Sequence, residues 1–307
     1  MILQSHEVRS KSNYGVVYYG IPGGGKSTLA LSAPNPLMID TDKGYHRIPV
    51  HCRKGAYTQP ATYDELLADI TPENIKGFET IIFDTGGTLI NLMKPWAIKR
   101  DPKNGQKDGA TLSQKGYGII GMEFNRLLEY VLLQQQKNII VIFHAKEEMD
   151  GDQKVFRLDA EGQSRDNVWK PMDLGGFIEA YRDKLVISFS PTDRFKAKGT
   201  HGIHGTIELP NVMNGAPNDF FTKLFDSMRV NLASESQIIE KYDRLMVVVR
   251  EIVDQVTDPV SASTAMGQLA TLEHVFNSKK ESWALLVEQA KKNGLVYVHD
   301  SKAWQQA

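Results

Sequence analysis

The residues with the clearest chemical signature lie near the start of the chain, at positions 20–27. Their sequence, Gly-Ile-Pro-Gly-Gly-Gly-Lys-Ser, fits the pattern G-x-x-x-x-G-K-[ST]. Glycines allow successive backbone N–H groups to turn inward around phosphate oxygens, and the segment opens a predicted helix whose N-terminus favours an anion. We therefore predict a site for nucleotide phosphates. Its residues are Gly20, Pro22, Gly23, Gly24, Gly25, Lys26, Ser27 and Thr28.

A magnesium site is predicted from this loop together with one distant carboxylate. Lys26 is expected to reach the β- and γ-phosphates, and Ser27 to ligate Mg²⁺. Further along the chain, the apolar run 78–84 ends in Asp84, a carboxylate that could complete the metal's ligands. Thr85 beside it is a lesser candidate.

The overall composition limits what these residues could serve. The 307-residue chain has 36 Lys and Arg against 37 Asp and Glu, a net charge of -1, so contact with nucleic acid requires a local basic patch. Cys52 is the single cysteine, which excludes an intrachain disulfide and clustered cysteine metal sites. The guanine-reading pattern Asn-Lys-x-Asp does not occur, so the expected nucleotide is ATP.

The elements that must position these side chains alternate between strands and helices as far as about residue 210. The predicted strands are 15–19, 36–40, 80–84, 138–144, 184–189 and 205–209. The first four are nearly continuous apolar runs, which is typical of strands buried on both faces. Thr62 and Glu65 predict a capped helix start, and apolar residues recur at helical spacing over 124–132. This alternation predicts an α/β fold with a mostly parallel central sheet flanked by helices.

The character of the sequence changes after residue 216. Apolar residues over 238–253 recur at helical spacing, and two shorter helices are predicted at 265–276 and 281–292. We predict a core domain at 1–216 and a helical C-terminal region at 217–307.

The core resembles the RecA-like P-loop ATPases, and within them most closely the phage ATPases of the Sak single-strand-annealing family. The resemblance covers about residues 14–210 and rests on the phosphate loop, the strand ending in Asp84 and the strand ending in His144. It implies that Asp42, just after the second strand, activates the attacking water, although the family more often has Glu there. It also implies that His144 senses the γ-phosphate, while Asp40 points away or supports Mg²⁺.

Two lysines after the fifth predicted strand match a further feature of that family. The Lys-x-Lys pair of RecA-like proteins reaches into a neighbouring subunit's ATP site. In this chain the resemblance assigns that role to Lys196 and Lys198, with Arg194 in reserve. A solvated basic turn is the alternative interpretation.

RecA-like proteins also bind DNA through two loops, and both corresponding segments are long here. The first, 94–118, has six Lys and Arg against two Asp, and Trp96 and Tyr117 lie near its two ends. Cations for phosphates and aromatic rings for bases suit sequence-tolerant binding of single strands. Its candidate contacts are Lys99, Arg100, Lys103, Lys107, Lys115 and Tyr117. The second segment, 146–175, is rich in acidic residues and is the weaker candidate.

The expected function is that of an ATPase that oligomerises on single-stranded DNA and promotes annealing or recombination with ATP and Mg²⁺. A motor or loader acting on a protein partner at a replication fork is the first alternative. A small-molecule kinase and a non-hydrolysing nucleotide-dependent scaffold are the others. Expected partners are single-stranded DNA, further copies of the chain and a single-strand-binding protein, with no membrane. No signal-peptide-like or membrane-spanning run is visible, so we expect a soluble protein in the cytoplasm, that of a bacterial host if a phage encodes it.

Overall fold

The computed structural model describes residues 11–298 and 303–306, and the chain divides into two compact units. One unit comprises residues 11–229, and the other contains the described residues from 230 onward. The division falls inside a single long helix, Phe220–Asp254. The boundary predicted from the sequence, at residue 216, lies shortly before this helix begins.

The first unit is built on a nine-stranded sheet. Its strands are β1 (Gly15–Gly20), β2 (Pro36–Asp40), β3 (Ala56–Thr58), β4 (Thr80–Asp84), β5 (Asn138–Asp150), β6 (Gln153–Leu158), β7 (Leu174–Tyr181), β8 (Lys184–Ser188) and β9 (Thr206–Glu208). They lie in the order β3-β2-β4-β5-β1-β7-β8-β9, and β6 pairs with β5. Every neighbouring pair from β3 to β7 is parallel, whereas β7–β8, β8–β9 and β5–β6 are antiparallel. The predicted mostly parallel sheet is therefore confirmed.

Helices occupy most of the connections between the parallel strands. Those of the first unit are α1 (Lys26–Ala30), α2 (Tyr63–Asp69), α3 (Pro72–Ile75), α4 (Gly86–Arg100), α5 (Gln114–Glu129), α6 (Ser164–Asn167) and the first part of α7 (Phe220–Asp254). The predicted cap of α2 is present, because the Thr62 hydroxyl accepts a hydrogen bond from the Glu65 N–H at 3.2 Å. The Glu65 carboxylate reaches back to the N–H of Ala61 at 2.8 Å.

Both faces of the sheet are covered, which explains the continuous apolar strands. In β1, Val17 and Tyr19 belong to a core shared with α2, α4 and α5, whereas Val16 and Tyr18 belong to a second core with α1 and the start of α7. All four side chains are fully buried. A strand with no solvent-facing side has no position that favours a polar residue, so the apolar/polar alternation disappears.

Two strands that the sequence analysis missed change the interpretation of 146–175. This segment is not a loop, because β5 continues to Asp150 and returns as β6 through a turn at Gly151, which has a φ of +61°. Its charged residues, such as the paired Lys154 and Glu147, concealed the hairpin. The strand β7 was hidden by Gly175 and Gly176, which resembled a turn. A Cβ on Gly175 would lie 2.1 Å from the Trp169 ring, so close packing, and not a turn, requires glycine there.

The segment 94–118 is also more ordered than predicted. Helix α4 extends to Arg100 and α5 begins at Gln114, so only residues 101–113 lie outside helices. Tyr117 therefore occupies the first turn of α5. Its neighbour Gly116 is closely packed, since a Cβ there would lie 2.2 Å from the carbonyl oxygen of Asn104.

The second unit combines helices with a small hairpin. It contains the rest of α7, then α8 (Pro259–Thr271), α9 (Ser278–Lys292), β10 (Leu295–Val298) and β11 (Ala303–Gln306). Met246, Val249, Leu286 and Trp304 are buried in its core. The helical C-terminal region is confirmed, with the two-stranded β10–β11 sheet as an addition. Among the helices of the described residues, none combines the length and apolar character needed to cross a membrane.

The two glycines that flank Tyr117 give a matched test of this packing. Gly116→Ala should lower the free energy of unfolding by roughly 1–3 kcal/mol, because the new methyl group collides with the Asn104 carbonyl. Gly118→Ala meets no atom within 4 Å and should raise it by about 0.5–1 kcal/mol, the usual gain in a helix. Urea unfolding of both variants measures the difference. Equal effects would show that the start of α5 does not pack as described.

Candidate functional site

The phosphate loop lies between β1, which ends at Gly20, and α1, which begins at Lys26. Gly23 and Gly25 have φ values of +80° and +68°, a region that side chains disfavour. No atom lies within 4 Å of a Cβ built on either glycine, so the space beside the loop is open. The backbone thus has the conformation and the room needed to hold an anionic group.

Lys26 lies across the loop that contains it. Its Nζ donates hydrogen bonds to the carbonyl oxygens of Gly20 at 3.0 Å and Ile21 at 2.8 Å, and the residue is only 6% exposed. Burial lowers the pKa of its ammonium group, while the carboxylates of Asp84 and Asp42 act in the opposite direction. The backbone of Lys26 is held as well, because the Tyr18 hydroxyl donates a hydrogen bond to the Lys26 carbonyl at 2.7 Å.

Asp84 ends β4 as a buried carboxylate beside the loop. Its pKa is raised to about 6, chiefly by burial and also by the charges of Asp40 and Asp42, whereas the Ser27 side chain and the charge of Lys26 act in the opposite direction. The Ser27 hydroxyl is therefore close enough to the Asp84 carboxylate to lower its pKa. A hydroxyl and a carboxylate oxygen are ligands that Mg²⁺ accepts, and the ion's positive charge would offset the carboxylate's burial. These residues fit a magnesium site.

The two aspartates after β2 differ in their surroundings. Asp40 is fully buried, and its carboxylate accepts hydrogen bonds from the Gly44 and Tyr45 N–H groups, both at 2.9 Å, and from the Gln59 side chain at 2.7 Å. It organises the loop that follows the strand. Asp42 anchors its own N–H on the Asp84 carbonyl at 3.1 Å and keeps a partly exposed carboxylate. Of the two, Asp42 is the one available to a water molecule.

His144 lies level with Gly20 on the neighbouring strand. The sequence analysis ended the strand at this residue, but β5 continues six residues further, to Asp150. Its Nδ1 is buried and has no hydrogen-bond partner among the described residues. Burial, followed by the charge of Lys26, lowers the pKa of the ring, so at neutral pH the imidazole is uncharged and has one donor and one acceptor nitrogen. It borders a cavity of about 220 Å³ that Thr85, Thr88 and Asp159 also line.

A threonine cluster that the sequence analysis did not identify joins β2, β4 and α4. The Thr41 hydroxyl lies 2.6 Å from that of Thr88 and 3.2 Å from the Asp84 carbonyl. Thr85 caps α4 through a reciprocal arrangement with Thr88, and the Asp84–Thr85 peptide bond is cis. The Thr-x-x-Thr spacing after Asp84 is the signal in the sequence that could have revealed the cap. Thr85, a lesser metal candidate, uses its hydroxyl in this cap.

Lys196 and Lys198 follow β8, which corresponds to the fifth predicted strand and pairs antiparallel with β7. Lys196 is half-exposed, with its Nζ 5.0 Å from the Trp169 ring centre and 3.4 Å from Asp166. Lys198 points inward and donates to the carbonyls of Met172 and Trp169. Within the described part of the chain, no hydrogen bond or ion pair joins either lysine to the phosphate loop. Of the two, Lys196 is the one accessible to another molecule.

Arg194, the reserve candidate, is occupied within its own chain. Its guanidinium lies 5.5 Å from the Phe156 ring centre and 3.8 Å from the Glu179 carboxylate.

The cations of 94–118 are largely compensated by neighbours. Lys94 pairs with Glu161 at 2.8 Å, Lys99 with Asp64 at 3.6 Å and Lys115 with Asp101 at 2.8 Å. Arg100 lies over the Trp96 ring, which packs against the core and the Tyr63 ring.

Three other candidates in this segment remain accessible. Lys103 and Lys107 are exposed and have no ion-pair partner among the described residues. Tyr117 is 37% exposed on α5. The DNA contacts proposed for this segment stay a prediction.

Comparison with models of known protein families assigns a family to this part of the chain. A family model described as an AAA domain matches residues 12–201, which include the phosphate loop, Asp42, Asp84, His144, Lys196 and Lys198. No curated protein matches the chain.

Burial of Asp84 predicts that the site is unfavourable for stability when no cation is bound. Because folding raises the pKa of Asp84 from 3.8 to about 6, the ionised carboxylate costs stability at pH 7.5, and stability falls as the pH rises between these two values. Asp84→Asn should therefore raise the free energy of unfolding at pH 7.5 by about 1–3 kcal/mol, and by about half as much at pH 5.

Urea unfolding at both pH values, without magnesium or nucleotide, measures this gain. Asp42→Asn is the matched control, because the carboxylate of Asp42 is partly exposed and lies near Arg47, so no gain of this size is expected. A destabilised Asp84→Asn variant at pH 7.5 would rule out the buried, uncompensated carboxylate.

Proposed function

The chain belongs to the AAA domain family through residues 12–201, and on this premise we propose that it hydrolyses ATP with Mg²⁺ and uses the cycle to anneal single-stranded DNA. The family supports an AAA/RecA-like P-loop ATPase domain, and the narrower resemblance to Sak-type annealing ATPases stays a prediction. The observation that carries the ATPase proposal is the open glycine loop with the Lys26 ammonium lying across it and the buried Asp84 carboxylate nearby.

In this proposal each group near the loop has a separate task. Loop N–H groups and Lys26 bind the phosphates, and Ser27 and Asp84 hold Mg²⁺. Bound Mg²⁺ would withdraw negative charge from the phosphate oxygens. The partly exposed carboxylate of Asp42 accepts a hydrogen bond from the attacking water and so orients it. Its anchor on the Asp84 carbonyl fixes its distance from the metal ligand.

His144 supplies a link from the nucleotide to the rest of the unit. As a neutral ring with a buried, unpartnered Nδ1, it gains a partner only when another group enters the site. The carbonyl oxygen of the same residue accepts a hydrogen bond from the Asp159 N–H at 2.9 Å. A shift of His144 on loss of the γ-phosphate is thereby transmitted to the segment that follows β6.

Binding of DNA is proposed from the position and charge of the α4–α5 region. Helix α4 begins two residues after Asp84, so a change at the metal ligand is passed directly into this region. Lys103 and Lys107 project free positive charge from it, and Tyr117 offers part of a ring. Neutralised backbones repel one another less, which is the condition that annealing needs.

The proposed function is tested by the rate of phosphate release with and without an oligo(dT) strand. We expect turnover that depends on Mg²⁺ and increases with the oligonucleotide, since the account couples DNA contact to the metal site. Lys26→Ala is the control and should release no phosphate in either condition. If the oligonucleotide does not change the wild-type rate of phosphate release, the annealing proposal fails. A loader that responds to a protein partner then becomes the better hypothesis.

Lys196 and Lys198 give a matched test of a site shared between subunits. Lys196→Ala should lower kcat by roughly tenfold or more without weakening ATP binding, because an exposed cation can reach a neighbour's phosphates. Mixing it with Lys26→Ala subunits should restore part of the activity. Lys198→Ala should instead lower stability, by about 1–3 kcal/mol, because its ammonium satisfies two backbone carbonyls. An active monomer, or no rescue in the mixture, would contradict the shared site.

A further inference from the structure

A second basic segment lies directly after the water-orienting Asp42. Residues 43–63 contain no Asp or Glu, in a chain whose net charge is -1. Within this stretch, residues 43–57 carry four Lys and Arg together with two His. These cations are Lys43, Arg47, Arg53 and Lys54. The sequence analysis considered nucleic-acid contacts only for the longer segments 94–118 and 146–175.

The structure leaves most of this charge exposed and uncompensated. The Nζ of Lys43 has no hydrogen-bond or ion-pair partner within the described ranges, and its side chain is exposed. Arg53 donates to the carbonyls of Ile48 and His46, both at 2.9 Å, and Lys54 donates to the carbonyl of Asn218 at 2.5 Å. Carbonyl partners orient the side chains without cancelling their charge. By contrast, most lysines of the 94–118 segment face carboxylates.

Two stacked tyrosine rings lie beside Arg53, one of these cations. The rings of Tyr45 and Tyr57 are stacked, with centres 3.8 Å apart and planes 12° apart, and the Arg53 guanidinium lies 5.7 Å from the Tyr45 centre. Tyr45 therefore contacts both Tyr57 and Arg53, whereas Tyr57 is 49% exposed. Tyr57 lies on β3, the last strand at this edge of the sheet. A ring stacked from behind and open in front is suited to accept a flat partner.

We propose that Lys43, Arg53, Lys54 and Tyr57 form a binding surface for single-stranded nucleic acid. The three cations would contact successive phosphates, and Tyr57 would stack on one base. Cations without carboxylate partners beside an exposed ring are the combination that sequence-tolerant single-strand binding uses. This inference rests on the proposed function, because it adds a second binding surface for single-stranded DNA to the one proposed in the α4–α5 region.

The same segment is tied to the catalytic residues, so binding there would be felt at the ATP site. Asp40 accepts hydrogen bonds from the N–H groups of Gly44 and Tyr45. Arg47 lies 3.7 Å from the Asp42 carboxylate and 3.4 Å from its carbonyl oxygen. A nucleic-acid strand bound to Lys43 and Tyr57 would restrain the loop that carries Asp42. The surface therefore provides a physical route for DNA to stimulate hydrolysis.

Removal of two of these charges tests the proposal. The variant Lys43→Gln/Lys54→Gln should flatten the salt dependence of single-strand binding by about 1.4 units of slope, since each lost phosphate contact is worth about 0.7. Fluorescence anisotropy with labelled oligo(dT) and oligo(U), at salt concentrations from about 50 to 200 mM, measures it and separates DNA from RNA. Basal ATPase should be unchanged, and its stimulation by the oligonucleotide should fall.

A matched control removes the same charge from the opposite edge of the sheet. Lys76 and Lys137 precede the starts of β4 and β5, whereas Asp84 ends β4 and His144 lies six residues after the start of β5. Lys76→Gln/Lys137→Gln should leave affinity and slope unchanged. Lys43→Arg/Lys54→Arg keeps the charge and should bind as the wild type does, which separates lost charge from lost folding.

The aromatic contact is tested on its own. Tyr57→Ala should weaken binding of oligo(dT) about five- to 150-fold, while Tyr57→Phe should bind normally because the stacking face is retained. An abasic oligonucleotide of equal charge should bind both variants alike.

Two outcomes would overturn the accounts separately. Wild-type binding with an unchanged slope in Lys43→Gln/Lys54→Gln would reject this surface and leave the proposed function standing. ATP hydrolysis without any binding of single strands by the wild type would reject the annealing function together with the surface.

Discussion

The parallel register of four strands is the constraint on which the site depends. Asp40 pairs with Asp84 across β2 and β4, and Gly20 pairs with His144 across β1 and β5. Because parallel strands end at the same edge of a sheet, carboxylates and the phosphate loop, far apart in sequence, arrive at one place. A shift of one residue in any of these strands would turn Asp84 away from Ser27. Close packing of large side chains on both faces, such as the fully buried Tyr18 and Tyr19 of β1, opposes such a shift.

That register brings the carboxylates of Asp40, Asp42 and Asp84 close together, and the charge of Lys26 offsets them only in part. Asp84 is buried near two other carboxylates and is only partly offset by Lys26, which is itself buried. The nucleotide-free protein thus holds a carboxylate at an energetic cost, in the way that binding sites commonly do. A divalent cation would remove this cost. The neutral His144 on the adjacent strand adds no further charge, which suits a group that responds to phosphate without binding it permanently.

The sequence was sufficient for the parts of the molecule that follow from local patterns. The loop at 20–27, the buried strands and Asp84 could be predicted because each is encoded in a short run of residues. The strand at Leu174–Tyr181 could not, since its two glycines serve tight packing and resemble a turn. The basic segment 43–57 was overlooked because its lack of acidic neighbours becomes meaningful only when the fold shows what faces each cation. Contacts between distant segments, such as Thr41 with Thr88, require the three-dimensional arrangement.

The most direct test of the account is the dependence of ATP affinity on magnesium. Binding of a fluorescent ATP analogue should be measured with increasing Mg²⁺, for the wild type and for Asp84→Asn. We predict that Mg²⁺ strengthens binding of the analogue to the wild type and has much less effect on the variant. Asparagine lacks the negative charge with which the Asp84 carboxylate would attract the metal. Equal strengthening of both proteins would place the metal elsewhere and contradict the central role of Asp84.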